Sequence, residues 1–468
     1  MGLKTNVDTD SIQDRVGRKL PCFPEFLSSR FTLIFRISIR LNYCLYLVCW
    51  TCIAAAEETA PAGAALTLEN LLEEAQRQNP GFLAEKAHTE ELFSKNEAAE
   101  RNQWPKLSLN GDVRNSAVEW RESRSSSAGV SLSQPIYQGG SLRLRRSIAE
   151  LQLQQGTLQL RLRELALQLQ VKSAYYDSLL FAAKLQEEEK ALERVKQHSH
   201  NVGLFFEQGK VWRNDLLQAD VKVARARKDL VSARNSVLTG RARINQLLGR
   251  DVDAPLELAG KLEWRDGGWK WEAIRRLALQ DHPQVQSSRL GMELAERSVE
   301  LAGSGLRPNL NFTGSYTRNY SEGALNAESA SSSVGLSATW LLFDGSTRFE
   351  EQAALHAVRG ARYRIRETEQ GVLLQAKQAW LAVEEAGEQV GVLQKALEHA
   401  EENYQVNIVR YQEQLGTGND VLDAEDLLKS TRLDWLGAIR DYWKSVAALE
   451  SAVARPTSQW GEDVPAHP

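Results

Sequence analysis

Lys106-Leu107-Ser108-Leu109-Asn110-Gly111-Asp112-Val113-Arg114 alternates apolar and polar residues without a break. Successive side chains of a strand point to opposite faces, so Leu107, Leu109, Gly111 and Val113 share one face and Ser108, Asn110, Asp112 and Arg114 the other. A polar loop is expected through Arg121-Glu122-Ser123-Arg124-Ser125. Beyond it Val130 and Leu132 alternate with Ser131 and Ser133, and Gly139-Gly140 closes the pair. The pattern returns later in the chain, with Leu310, Phe312, Gly314 and Tyr316 set against Asn311, Thr313, Ser315 and Thr317. Its return strand carries Val334, Leu336, Ala338 and Trp340 and is expected to end at Asp344-Gly345.

The two hairpins belong to a longer duplication. Asn79-Pro80 recurs as His282-Pro283, and Trp104-Pro105-Lys106-Leu107 as Arg307-Pro308-Asn309-Leu310, both at an offset of 203. Gln134-Pro135-Ile136-Tyr137-Gln138-Gly139 aligns with Trp340-Leu341-Leu342-Phe343-Asp344-Gly345 at 206, and Asp215-Leu216-Leu217-Gln218-Ala219 with Asp420-Val421-Leu422-Asp423-Ala424 at 205. Four anchors in one order make the chain two copies of one unit. The first copy, 57–248, is read as helix 66–104, hairpin 106–138, long helix 141–209 and helix 212–248. A linker at 249–268 follows. The second copy, 269–455, is read as helix 269–307, hairpin 309–343, long helix 346–415 and helix 418–455, with a tail at 456–468.

The long helices contain no proline. At 1.5 Å per residue, each is a rod of roughly 100 Å that must bury its apolar stripe on other rods. Ala219, Val223, Ala226, Leu230, Ala233, Val237, Gly240, Ile244 and Leu247 follow a 4,3 spacing. Ala424, Leu428, Thr431, Trp435, Ala438, Tyr442, Ser445, Leu449 and Ala452 stand at the same phase in the second copy. A sustained heptad gives coiled-coil packing, and small residues on the seam allow close approach. The two shorter helices of a copy, set end to end, match the rod in length.

Composition sets outer limits. The 468 residues carry 57 Lys+Arg and 61 Asp+Glu, a formal net charge of −4, with 42% hydrophobic and 25% charged residues. No basic excess argues for nucleic acid. The mean hydropathy of −0.41 and the lack of other long apolar runs exclude a polytopic helical membrane protein, but not a barrel. All four cysteines (Cys22, Cys44, Cys49, Cys52) precede residue 53, so a disulfide-rich fold is excluded. Arg30, Arg36 and Arg40, an apolar stretch from Leu41 to Ile53, and Ala54-Ala55-Ala56 describe a signal peptide within a leader at 1–56. The run is shorter than a spanning helix needs.

Four amphipathic strands at one end of the rods have no spare apolar element to cover them. Lipid can do so, since a membrane barrel presents this alternation of apolar outside and polar inside. Four strands cannot close a barrel, so several chains must contribute. Trp104, Tyr137 and Phe343 fall at the helix-side rim, and Trp120 and Tyr320 near the far loops, where interfacial aromatics would sit. The duplicated helix-hairpin-helix unit, the Gln134-to-Gly140 strand end, and Arg410-Tyr411 followed by Asp420-Val421-Leu422-Asp423-Ala424 resemble the TolC-type outer-membrane efflux proteins. The resemblance spans about residues 66–455. It implies a mainly α fold with a membrane β-barrel: a homotrimer with a 12-stranded barrel in the outer-membrane lipid and a coiled-coil α-helical tunnel crossing the periplasm. It also implies two partners, a periplasmic adaptor and an inner-membrane transporter, and a passive exit duct for efflux or type I secretion.

In that family, acidic residues at the positions of Asp420 and Asp423 line the tightest constriction, and Tyr411 falls on a tyrosine of the gating network. Asp215 is the first copy's equivalent of Asp420. Three chains would set these carboxylates in a ring favouring cations. The plainer role is a first-turn acid that caps its helix. No basic residue stands around Gly416-Thr417-Gly418, where an arginine link would be expected. His198 and His200, two apart on a helix, are read as surface histidines. No HExxH, GxSxG or P-loop and no Cys/His metal spacing occurs, so neither catalysis, a metal nor a cofactor is expected. The competing reading is a secreted or surface coiled-coil scaffold.

Overall fold

Asn79-Pro80 breaks what was expected to be one helix over 66–104. The computed structural model of the chain describes residues 65–118, 121–265, 267–280, 282–322 and 327–460, and within them the first helical stretch is two helices, α1 (Leu68–Gln78) and α2 (Pro80–Arg101). Proline lacks an N–H and drives the preceding residue out of helical geometry, and Asn79 sits at φ −63°, ψ 119°. Its side chain accepts from the Phe82 N–H at 2.9 Å, capping α2, and donates to the Leu247 carbonyl at 2.8 Å. The second copy breaks likewise. The helix expected over 269–307 is α5 (Trp271–Gln280), α6 (Pro283–Gly303) and a 3₁₀ turn (Ser304–Leu306), with His282 Nδ1 accepting from the Gln284 N–H at 3.2 Å. The leader at 1–56 and positions 461–468 of the tail lie outside the described residues; before the latter, Trp460 is buried against the second copy's core.

The strands are β1 (Lys106–Val118), β2 (Arg121–Gln138), β3 (Asn309–Glu322) and β4 (Ala327–Thr339), paired antiparallel in the order β1-β2-β3-β4. The stretch 121–125, expected as a loop, belongs to β2. It pairs with β1 throughout and from Arg124 also with β3, Arg124 lying opposite Asn115 and Glu322, and Ser116 and Ser123 hydroxyls meet at 2.8 Å. The last strand stops at Thr339 instead of running to 343. Thr339 faces Asn309, the first residue of β3, so the chain beyond has nothing to pair with, and the Trp340 indole N–H turns to the Leu306 carbonyl at 3.0 Å.

Register makes the sheet two-faced. Leu107, Leu132, Gly314 and Val334 form one row across all four strands. The adjacent row, on the opposite face, is Ser108, Ser131, Ser315 and Ser333, with hydroxyl pairs at 2.7 and 2.8 Å.

After the hairpins come the rods α3 (Ser141–Glu207) and α7 (Thr347–Gln412), each followed by a returning helix, α4 (Arg213–Leu248) and α8 (Gly418–Val453). Rods pack on returning helices, α3 on α4 and α7 on α8, and α3 also packs on α8. Ala219, Ala226, Ala233, Gly240, Ile244 and Leu247 on α4, and Ala424, Leu428, Ala438, Tyr442, Leu449 and Ala452 on α8, are all buried. Among the described residues, no helix is long and apolar enough to cross a membrane.

Candidate functional site

Opposite the sheet, two turns join the rods to their returning helices. In the first, Gly209 takes φ +71°; in the second, Gln414 takes φ +60°. A buried cluster ties the turns together: Val202 of α3, Ala219 of α4, Tyr404 and Tyr411 of α7, and Val421 and Ala424 of α8, with Phe205 and Leu216 against it.

The acids flanking these turns are caps. Asp420 accepts from the Thr417 N–H at 2.8 Å while Thr417 Oγ1 accepts from the Asp420 N–H at 3.3 Å, a reciprocal capping box. The Thr417 backbone donor, with help from Arg410, holds the Asp420 carboxyl below the usual range. Asp215 likewise accepts from the Trp212 N–H at 3.0 Å. Asp420 and Asp423 are both exposed, and Asp423 makes no side-chain hydrogen bond among the described residues. Tyr411 lies elsewhere: it is buried between the turns, its ring 5.6 Å from that of Phe205 and 5.2 Å from that of His198. Burial first, and then the Asp215 charge, push its hydroxyl up. The structure thus brings Tyr411 and Asp215 together and leaves Asp420 and Asp423 on the open side of α8.

His198 is not a surface residue; only 8% of it is exposed. The signal was available, because Ala191, Val195, His198 and Val202 follow the 4,3 seam spacing and all four are buried. Its pKa falls to about 4, and burial is the cause.

No basic residue stands at Gly416-Thr417-Gly418, but basic links join the helices away from the turn. They lie farther along α3, as a ladder onto α8. Arg194 Nε donates to Glu425 at 2.8 Å and its Nη2 to Glu187 at 2.7 Å, while Arg432 reaches Glu187 and Glu401. Lys429 joins Glu188 at 3.2 Å and Asp229 of α4 at 3.1 Å, and Lys222 of α4 reaches Asp426. Glu187, Glu188 and Glu425 are buried. Burial works against the Arg194 charge, but the hydrogen bonds to Glu425 and Glu187 outweigh it and hold the guanidinium firmly charged. A period-based reading misses this ladder because the rungs that join α3 to α8, Arg194 to Glu425, Lys429 to Glu188 and Arg432 to Glu187, link residues more than 200 positions apart.

At the sheet end, Trp104, Tyr137 and Phe343 are exposed at the level where strands meet helices, and Tyr320 is exposed toward the other end of β3. Trp120 lies outside the described residues. Trp340 and Leu342, released from the strand, join the helix-side level. Among the described residues no group of three or more His, Cys, Asp or Glu is placed to hold a metal ion.

A four-stranded sheet with one apolar face is thus continued by paired helical rods that end in acid-capped turns. The chain belongs to the outer membrane efflux protein family, which matches residues 71–250 and 274–455, once per copy. The family is one of non-enzymatic transport proteins whose channels are trimeric components of tripartite efflux systems. Outer membrane efflux protein BepC of Brucella suis is 32% identical over 174 residues, 36% of this chain and 37% of BepC. Protein CyaE of Bordetella pertussis is 23% identical over 255 residues, 53% of this chain and 52% of CyaE. The matched segments thus span about a third to a half of these curated relatives. The Campylobacter jejuni CmeC outer membrane channel superposes with a TM-score of 0.71 over 86% of this chain and 90% of its own, at 15% identity.

Proposed function

We propose that three copies close a 12-stranded barrel in the outer membrane and bundle their rods into a periplasmic tunnel. This tunnel serves as the passive exit duct of a tripartite efflux or type I secretion system. Its partners are a periplasmic adaptor and an inner-membrane transporter, and the pump chooses the substrate. The observation that carries the reading is the sheet. Leu107, Leu109, Val113, Val334 and Leu336 are more than 60% exposed, and β1 and β4 each have one unpaired edge. In lipid an open edge leaves backbone groups without partners, which only closure against another copy relieves. The test is fractionation followed by planar-bilayer recording. The expected result is a protein that stays in the outer membrane, runs as a stable trimer and conducts ions; a detergent-free soluble coiled coil would favour a scaffold instead.

Within this reading Asp420 and Asp423 ring the periplasmic opening, with Asp215 at the outer turn. Asp420→Asn plus Asp423→Asn removes the charge while leaving a capping side chain at 420. Block by multivalent cations is expected to weaken about tenfold or more, because their binding depends on a ring of fixed negative charge. Unchanged block would remove these residues from the pore.

A further inference from the structure

Three elements meet around His198. Its ring, on α3, lies 5.2 Å from that of Tyr411 on α7, and a Cβ placed on Gly418 of α8 would come within 3.6 Å of its Nε2. Among the described residues, neither His198 Nε2 nor the Tyr411 hydroxyl has a hydrogen-bond partner, and both are shut off from solvent. A buried polar atom left without a partner costs about 1–3 kcal/mol, so closed packing here holds two groups that hydration would favour. The neighbouring seam positions Ala191, Val195 and Val202 carry no such burden.

Resting on the duct reading above, we propose that His198 and Tyr411 form a proton-operated latch. Neutral imidazole, packed against the Tyr411 ring, keeps the tip shut, and protonation of His198 drives it out of the seam and opens the tip.

The charged groups around the latch are committed elsewhere. On α4, Asp215 caps its helix and acts on Tyr411; on α8, Asp420 caps its own. Arg410 of α7 acts on Asp420, Arg194 of α3 is held by Glu187 and Glu425, and Lys210, past α3, lies 5.5 Å over the Phe205 ring. None accepts a proton from His198, so an imidazolium formed in the seam has no counter-charge in contact. Burial holds the His198 pKa near 4, against 6.5 for the hydrated ring of an opened tip. A base depressed in the closed state leaves closure intact above pH 6.5 and weakens it as pH falls toward 4. At pH 5 the shift favours opening about 30-fold per chain.

The experiment is planar-bilayer recording of the purified trimer between pH 7.5 and 5. Open probability is expected to rise on acidification in the parent and to stay flat in His198→Phe, which fills the seam but cannot titrate. His198→Arg, whose guanidinium stays charged even when buried, is expected to stay open at pH 7.5. Should His198→Phe fail to assemble, His198→Gln is the non-titrating replacement. Burial also pushes the Glu425 carboxyl up; a rise carried by it or another carboxylate would persist in the His198 variants and overturn the latch. Pore conductance that ignores pH in the parent would overturn the latch and leave the duct standing, whereas no conductance in any variant would sink both. Deuterium exchange at the imidazole C2 position gives the His198 pKa independently of conductance, and a value near 6.5 in the closed trimer would also overturn the latch.

Discussion

Arg194→Met is expected to destabilise the chain by about 3–5 kcal/mol, the typical loss when one partner of a buried ion pair is removed. Arg194 is only 21% exposed, and it holds two carboxylates, Glu187 at 3% and Glu425 at 5% side-chain exposure. Glu187 keeps Arg432 after the change, but Glu425 keeps no cation among the described residues, and its charge stays buried. The cost falls where α3 and α8 are joined, so the tip should loosen as well as the fold, and resting conductance should rise. Replacing both partners by apolar residues, Arg194→Met with Glu425→Leu, is expected to recover most of the stability, because the desolvation penalty disappears with the charges. Thermal and guanidinium unfolding followed by circular dichroism measure both. A single variant within about 0.5 kcal/mol of the parent, the range of ordinary surface changes, would mean that the ladder does not hold the helices together.

The contrast between this ladder and the sheet shows what a single sequence makes visible. Alternation at 107–113 and 310–316 is local, so the strands and their apolar face can be read directly, as can the heptad seams of the returning helices. The duplication is visible because its anchors are turn and cap residues whose order survives. Asn79-Pro80 and His282-Pro283 are among those anchors, yet helical composition continues on both sides of them, and the break comes from the proline's effect on the preceding residue. Polarity misled at 121–125, because strand pairing engages the backbone whatever the side chains are, with β1 along the whole stretch and with β3 from Arg124. His198 was hidden by its chemistry: a histidine breaks the apolar seam that its spacing continues. Local sequence would show a basic link at the turn, whereas Arg194–Glu425 and Arg432–Glu187 cross between helices from opposite halves of the chain.

The junction of hairpin and rod carries the second large effect: Gly139→Ala is expected to abolish assembly of the folded trimer or lower its thermal midpoint sharply. Gly139 takes φ +60°, a region that costs a non-glycine residue roughly 1 kcal/mol. Space is the larger obstacle. A Cβ there would sit 2.6 Å from the Ser304 carbonyl oxygen and 2.9 Å from Arg307 Cβ. The carbonyl is backbone in the 3₁₀ turn that leads into β3, and that turn is fastened to the same spot: the Gly139 N–H donates to the Pro308 carbonyl at 3.2 Å and Arg307 Nη1 to the Gly139 carbonyl at 3.2 Å. Relieving the clash therefore means moving β3 away from β2, at the level where the sheet joins both rods. Two neighbours separate the causes. Gly140 has φ +87° but only the flexible Arg307 Nη1 near its Cβ position, at 3.5 Å, so Gly140→Ala reports the conformational cost alone. Gly345, the second copy's counterpart by sequence, has no positive φ and nothing within 4 Å, because no turn of the same chain lies over it. Trimer yield and thermal midpoint are expected to fall in the order Gly345→Ala, Gly140→Ala, Gly139→Ala, with the last several-fold worse than Gly140→Ala. Equal behaviour of the Gly139 and Gly140 variants would mean that the turn gives way freely, and that the two halves are not locked together at this point.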